Sequence, residues 1–132
     1  MQKKSELFVV TKAKDLAKYI LTVTEKSPVK YRFTLVVRLQ NYILDVLENL
    51  YLANSVKIGQ KRRAYQETAR TRLSMLDYFA GLAAEQGCVL FKQYEQISKQ
   101  QAECLLYLNK WIASDAKRAK VSPDSSIGDD IG

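Results

Sequence analysis

The chain has no histidine among its 132 residues. That excludes imidazole general-base chemistry, His-containing catalytic triads and the common zinc sites. Cysteine is scarce: Cys88 and Cys104 stand alone. On a helix beginning near Cys88 they lie about 24 Å apart at 1.5 Å per residue. A disulfide needs Cα atoms within roughly 7 Å, so both read as small packing residues suited to a reducing cytoplasm. Long apolar runs are missing too, with none near the roughly 20 residues of a membrane span. Met1–Glu6 is polar and unlike a signal peptide, so a cytoplasmic chain without membrane contact is expected. There is no GxxxxGK[ST] or GxGxxG loop to cradle phosphates. No Glu-x-x-His pair offers a bundle di-metal centre, and Glu48, Glu95 and Glu103 read as exposed helix acids. No catalytic residue, metal or cofactor is expected, and the chain does not read as an enzyme.

Proline (two) and glycine (five) are sparse enough to act as punctuation. Breaks at Ser27-Pro28, at Asn54-Ser55 before Gly59, and at Glu85-Gln86-Gly87 separate four segments with helical apolar spacing. The segments cover about residues 8–26, 29–55, 58–86 and 90–118, with no sustained period-two alternation. The third aligns Ile58, Tyr65, Ala69, Leu73, Leu76, Ala80 and Ala83. The fourth aligns Tyr94, Ile97, Gln101, Cys104, Leu105, Leu108, Trp111 and Ile112. Short connections predict an all-α, antiparallel up-down-up-down four-helix bundle over residues 1–120. Residues 121–132 hold three acids and no base, and are expected to form a disordered acidic tail. A chain of this length can bury a core unaided.

The second segment is apolar over an arc of roughly 220° at 100° per residue, about twice the minimum stripe of a surface helix. Either it lies deep in its own bundle or part of it covers another subunit. The expectation favours the second, with Leu35, Leu39, Tyr42 and Val46 as the oligomer interface and a ring-like homo-oligomer as the assembly.

The formal charge is +7, and residues 1–120 carry 21 basic against 11 acidic residues. Such a balance suits nucleic acid, an acidic protein surface or anionic lipid. Lys57, Lys61, Arg62, Arg63, Arg70 and Arg72 cluster against the single acid Glu67. They open the third helix, where the dipole disfavours cations by roughly 0.3–1 kcal/mol each. Folding does not ask for them there. In the predicted topology this end also receives Lys3, Lys4, Lys12 and Lys14 from the first helix, and Lys110, Lys117, Arg118 and Lys120 from the fourth. A charged run is commonly just a solvated face, but three helices converging make this end the best binding site in the chain. Lys57, Lys61, Arg62, Arg63, Arg70, Arg72, Lys117 and Arg118 are the expected nucleic-acid or partner contacts. Among eight tyrosines, Tyr31 between Lys30 and Arg32 is the best placed to stack on a base, whereas Trp111 reads as a core anchor.

Tyr31-Arg32-Phe33-Thr34-Leu35, Arg38-Leu39-Gln40-Asn41 and Leu44-Asp45-Val46-Leu47-Glu48-Asn49-Leu50 resemble the second helix of small bacterial four-helix-bundle proteins. These include the accessory variability determinant (Avd) proteins of diversity-generating retroelements and proteins encoded in intervening sequences of large-subunit ribosomal RNA genes. Leu73, Leu76, Lys92-Gln93-Tyr94-Glu95, Ser98 and Trp111-Ile112-Ala113-Ser114 agree, and the resemblance covers roughly residues 8–115. The basic third helix and the Arg-Phe-Thr-Leu start look more like the Avd branch.

That resemblance implies a noncatalytic, basic homopentamer. It would bind the retroelement reverse transcriptase and template-repeat RNA, or an RNA–DNA hybrid, in support of mutagenic cDNA synthesis. It assigns no role to any single residue. Two other readings stay open: a ribosomal-RNA-associated bundle of the intervening-sequence type, and a structural protein-interaction module.

Overall fold

The computed structural model describes residues 4–121, with side chains over 8–119. It contains α1 (Lys4–Val23), a 3-10 turn (Val29–Tyr31), a π-helical turn (Arg32–Val36), α2 (Val37–Asn54), α3 (Gln60–Glu85) and α4 (Phe91–Val121), with no strand among the described residues. The expected acidic tail, from residue 122 onward, lies outside them. Each helix packs on its sequence neighbour and α4 closes back on α1. Nothing pairs across the diagonal among the described residues, as in an up-down-up-down bundle. Side-chain bonds give the order of ends. Gln40, early in α2, donates to Thr24 just past α1, and Arg62 at the start of α3 meets Asp115 late in α4.

Leu16 and Ile20 of α1, Leu39, Ile43 and Leu50 of α2, Leu73 and Leu76 of α3, and Ile97, Leu108 and Trp111 of α4 are fully buried. Burying one such side chain stabilises by about 1.5–3 kcal/mol, so these seams hold the bundle far more than its ion pairs do. Ala69, Ala80 and Ala83 keep the inner face of α3 small. The chain reverses after α3 through a Schellman motif. Gly87 takes φ 80°, Cys88 N–H donates to Ala83 O at 2.8 Å, and Gly87 N–H to Ala84 O at 3.1 Å. At the start of α4, Gln93 Oε1 accepts from Leu90 N–H at 2.8 Å, half of a capping box. Both cysteines are free and buried.

The expected oligomer stripe is corrected. Leu39 and Val46 are fully buried in the chain's own core, and Tyr42 packs its ring 5.7 Å from Phe79 of α3. Leu35 is half-buried against the same core. The wide arc arises because α2 is flanked by α1 on one side and α3 on the other, and both flanks need apolar side chains. The π turn also breaks uniform 100° phasing over 32–36, so Phe33 faces outward while Val36 is buried. The apolar residues that α2 leaves outside are Leu44 and Tyr51, with Leu47 half-buried between them.

Candidate nucleic-acid interface

The start of α3 is preceded by Gly59 with no side-chain cap and has no acid in its first turn. The helix supplies no side chain of its own to offset its dipole there, and the cations divide into three groups.

Arg62 points inward. Its Nε donates to Asp115 Oδ2 at 2.8 Å, its Nη2 to Asp115 Oδ1 at 3.0 Å, and its Nη1 to Val56 O at 3.3 Å. Gln66 Nε2 donates to Asp115 Oδ2 at 2.9 Å, and the guanidinium carbon lies 4.9 Å from the Trp111 ring centroid. All four side chains are buried. Arg62 is therefore corrected from a surface contact to a polar rivet between α3 and α4. The bidentate fork and the stacked ring satisfy a guanidinium removed from water. The sequence held the signal: Arg62 and Gln66 continue the Ala69-Leu73-Leu76 stripe, and Asp115 continues Cys104-Leu108-Trp111. A cation and an acid on facing apolar stripes imply a buried pair.

Arg63, Arg70 and Arg72 are tied along the surface. Arg63 Nε donates to Glu67 Oε2 at 2.8 Å, and Arg70 Nη2 donates to Glu67 Oε1 while its Nη1 donates to Asn109 at 2.9 Å. The Arg63 hydrogen bond holds the Glu67 carboxyl below its ordinary value against opposing desolvation, with Arg70 helping. Arg72 faces the other seam, with Nε 3.4 Å from Asp45 of α2. Arg72 also stands about 18 Å from the helix start at 1.5 Å per residue, well away from the end of the bundle. Lys12 likewise pairs with Glu103 at 3.3 Å. The fourteen cations expected at one end therefore do not all gather there. Lys3 lies outside the described residues, as do the side chains of Lys4 and Lys120.

Lys57, Lys61 and Lys117 are exposed, and none forms an ion pair among the described residues. Arg118 is half-buried, 3.9 Å from Asp115. Between the start of α3 and the end of α4 lies an open cleft of about 390 Å³ lined by Ile58, Gly59, Arg63, Glu67, Asp115 and Ala119. This end of the bundle thus carries an apolar-lined cleft edged by Arg63 and Glu67, with the exposed Lys57, Lys61 and Lys117 on the segments that flank it.

At the opposite end, which holds the expected stacking residue Tyr31, it is Val29, Phe33, Leu90 and Phe91 that are 60–83% exposed. Among the described residues no group of three or more metal-capable side chains occurs, and no helix is long and apolar enough to cross a membrane. Comparison with protein-family models and with curated proteins gives no match.

Proposed function

We propose that the chain is a nonenzymatic accessory factor of the Avd type, a basic oligomer that binds a retroelement reverse transcriptase and its template RNA in the cytoplasm. The observation that carries the reading is the set of exposed, ion-pair-free lysines, Lys57, Lys61 and Lys117, at the dipole-disfavoured start of α3 and the adjoining end of α4. They contribute nothing evident to folding, and lysines of this kind suit phosphate neutralisation without base reading. The four-helix topology accords with the resemblance carried by the second segment, and the exposed Leu44 and Tyr51 support self-association. The number five rests on the resemblance alone.

Co-expression with a retroelement reverse transcriptase, whose gene the reading expects beside this one, followed by mass measurement of the purified complex, tests the reading. A multimer carrying enzyme and RNA is expected, with affinity falling steeply as salt rises. A monomer that ignores both sinks it. Charge reversal at Lys57, Lys61 and Lys117 weakens RNA binding and flattens the salt slope by about 0.7 per lost contact on single strands.

A further inference from the structure

The end of the bundle opposite the α3 start is built from two connections. Ser27 Oγ donates to Cys88 O at 2.6 Å and Tyr31 Oη to Gln86 Oε1 at 3.1 Å, joining the α1–α2 connection to the α3–α4 connection. Phe33, on the π turn that follows the first connection, is 83% exposed, and Phe91, at the start of α4 after the second, is 66% exposed. Cations alternate with these rings along the chain, as Lys30-Tyr31-Arg32-Phe33 and Phe91-Lys92. Lys26, Lys30, Arg32 and Lys92 are all exposed and in no ion pair among the described residues; the exposed acids Glu25 and Glu85 share the surface. The N-terminal ends of α2 and α4 lie here too, so the dipoles also favour an anion. Tyr31 itself is half-buried, hydroxyl-bonded and beneath Lys30, whose Nζ is 5.1 Å from its ring centroid. Its ring supports the surface, and the free faces are those of its neighbours.

We infer that this end is a second binding surface, for single-stranded nucleic acid, with Phe33 and Phe91 as stacking platforms for unpaired bases and Lys26, Lys30, Arg32 and Lys92 as phosphate contacts. Exposed rings between cations are the combination that grips a single strand: every base has a π-face, and the backbone is neutralised alongside. Among the described residues the one ring packed near Phe91 is the tilted Tyr94, 6.0 Å away, and Phe91 stays 66% exposed, open to a base. Neither phenylalanine belongs to the buried core, so folding gives no reason for two bare rings at this end of the bundle. The inference rests on the nucleic-acid half of the preceding proposal and is independent of the reverse transcriptase.

The test uses the full chain, a fluorescein-labelled twelve-nucleotide polyuridine strand, a duplex RNA of equal length, and vesicles of phosphatidylcholine with phosphatidylglycerol. Phe33→Leu and Phe91→Leu keep the apolar area but remove the π-face, and circular dichroism checks that both variants fold. The wild type is expected to prefer the single strand over the duplex. Each leucine variant loses about 5-fold or more in single-strand affinity, with duplex binding unchanged, and Phe33→Trp restores it. Leucine variants that bind the single strand as the wild type does would overturn the inference. So would vesicle partition that survives both leucine substitutions without a single-strand preference, since apolar insertion needs no ring. Equal single-strand and duplex affinity, abolished by reversal of Lys57, Lys61 and Lys117, would leave the preceding proposal standing while this one falls.

Discussion

Arg62 and Asp115 lock the start of α3 to the end of α4 through two parallel hydrogen bonds of 2.8 and 3.0 Å, both side chains being buried. The pair also orients Gln66 and seats the guanidinium on Trp111. Removing Asp115 leaves the buried Arg62 guanidinium without the carboxylate that accepts its two bonds. Asp115→Ala is expected to lose about 3–5 kcal/mol of stability, read as a lower urea midpoint. The double variant Arg62→Met/Asp115→Leu should recover most of that loss, because apolar residues of similar size can replace a buried pair. An Asp115→Ala midpoint equal to wild type would show that the rivet holds nothing.

Glu67 is the acid between Arg63 and Arg70, and it lowers the local field of the basic end. Glu67→Gln keeps the shape and removes the charge. RNA binding should tighten and become more salt-sensitive, while stability changes by less than about 1 kcal/mol, as for exposed pairs generally. The pH sign follows from its depressed carboxyl pKa, held down chiefly by the Arg63 hydrogen bond. The contribution is present above the ordinary value of 4.5 and is lost as pH falls through the lower folded value. Urea midpoints between pH 6 and 3 should fall less in Glu67→Gln than in wild type; parallel curves would contradict the assignment.

Much of this arrangement is legible in the amino-acid sequence, and the exceptions have physical causes. Helical spacing locates four segments, because buried positions such as Leu16, Ile43, Leu73 and Leu108 recur on single faces. The helix ends at Val23 and Asn54 follow the Ser27-Pro28 and Asn54-Ser55 breaks to within a few residues. The π turn at Arg32–Val36 has no apolar signature, and it changes which side of the chain Phe33 and Val36 occupy. A count of charge cannot tell the buried Arg62 from the exposed Lys61 beside it. Position on the stripe can tell them apart. Arg62 lies seven residues before the buried Ala69, and Lys61 falls off that face.

Cys104 lies in the apolar centre of α4, and burial pushes its thiol up to about 12 from an ordinary 9.0. Cys88 is raised in the same direction for the same reason. Both thiols should ignore a thiol-specific disulfide reagent in the native state and react in denaturant. Because the neutral thiol is the form the fold favours, its contribution is complete below pH 9 and declines as pH rises toward 12. Cys104→Ala should be less stable at neutral pH through its small cavity, but its stability should fall less steeply above pH 9. An equal alkaline slope would remove Cys104 as its source.

Leu44 and Tyr51 are 45% and 73% exposed on α2, seven residues apart and so on one outward face, with half-buried Leu47 between them. If α2 contributes to a homo-oligomer, these side chains are the ones available, since Leu39, Tyr42 and Val46 are enclosed by the chain's own helices. Leu44→Asp and Tyr51→Asp are surface changes that should leave helicity and the urea midpoint nearly unaltered. At a subunit contact each would bury an unpaired carboxylate and drive the assembly toward monomer. Sedimentation equilibrium separates the cases. Loss of mass with the fold retained places the contact on this face, whereas an unchanged multimer in the Leu44→Asp/Tyr51→Asp double variant moves it to another surface.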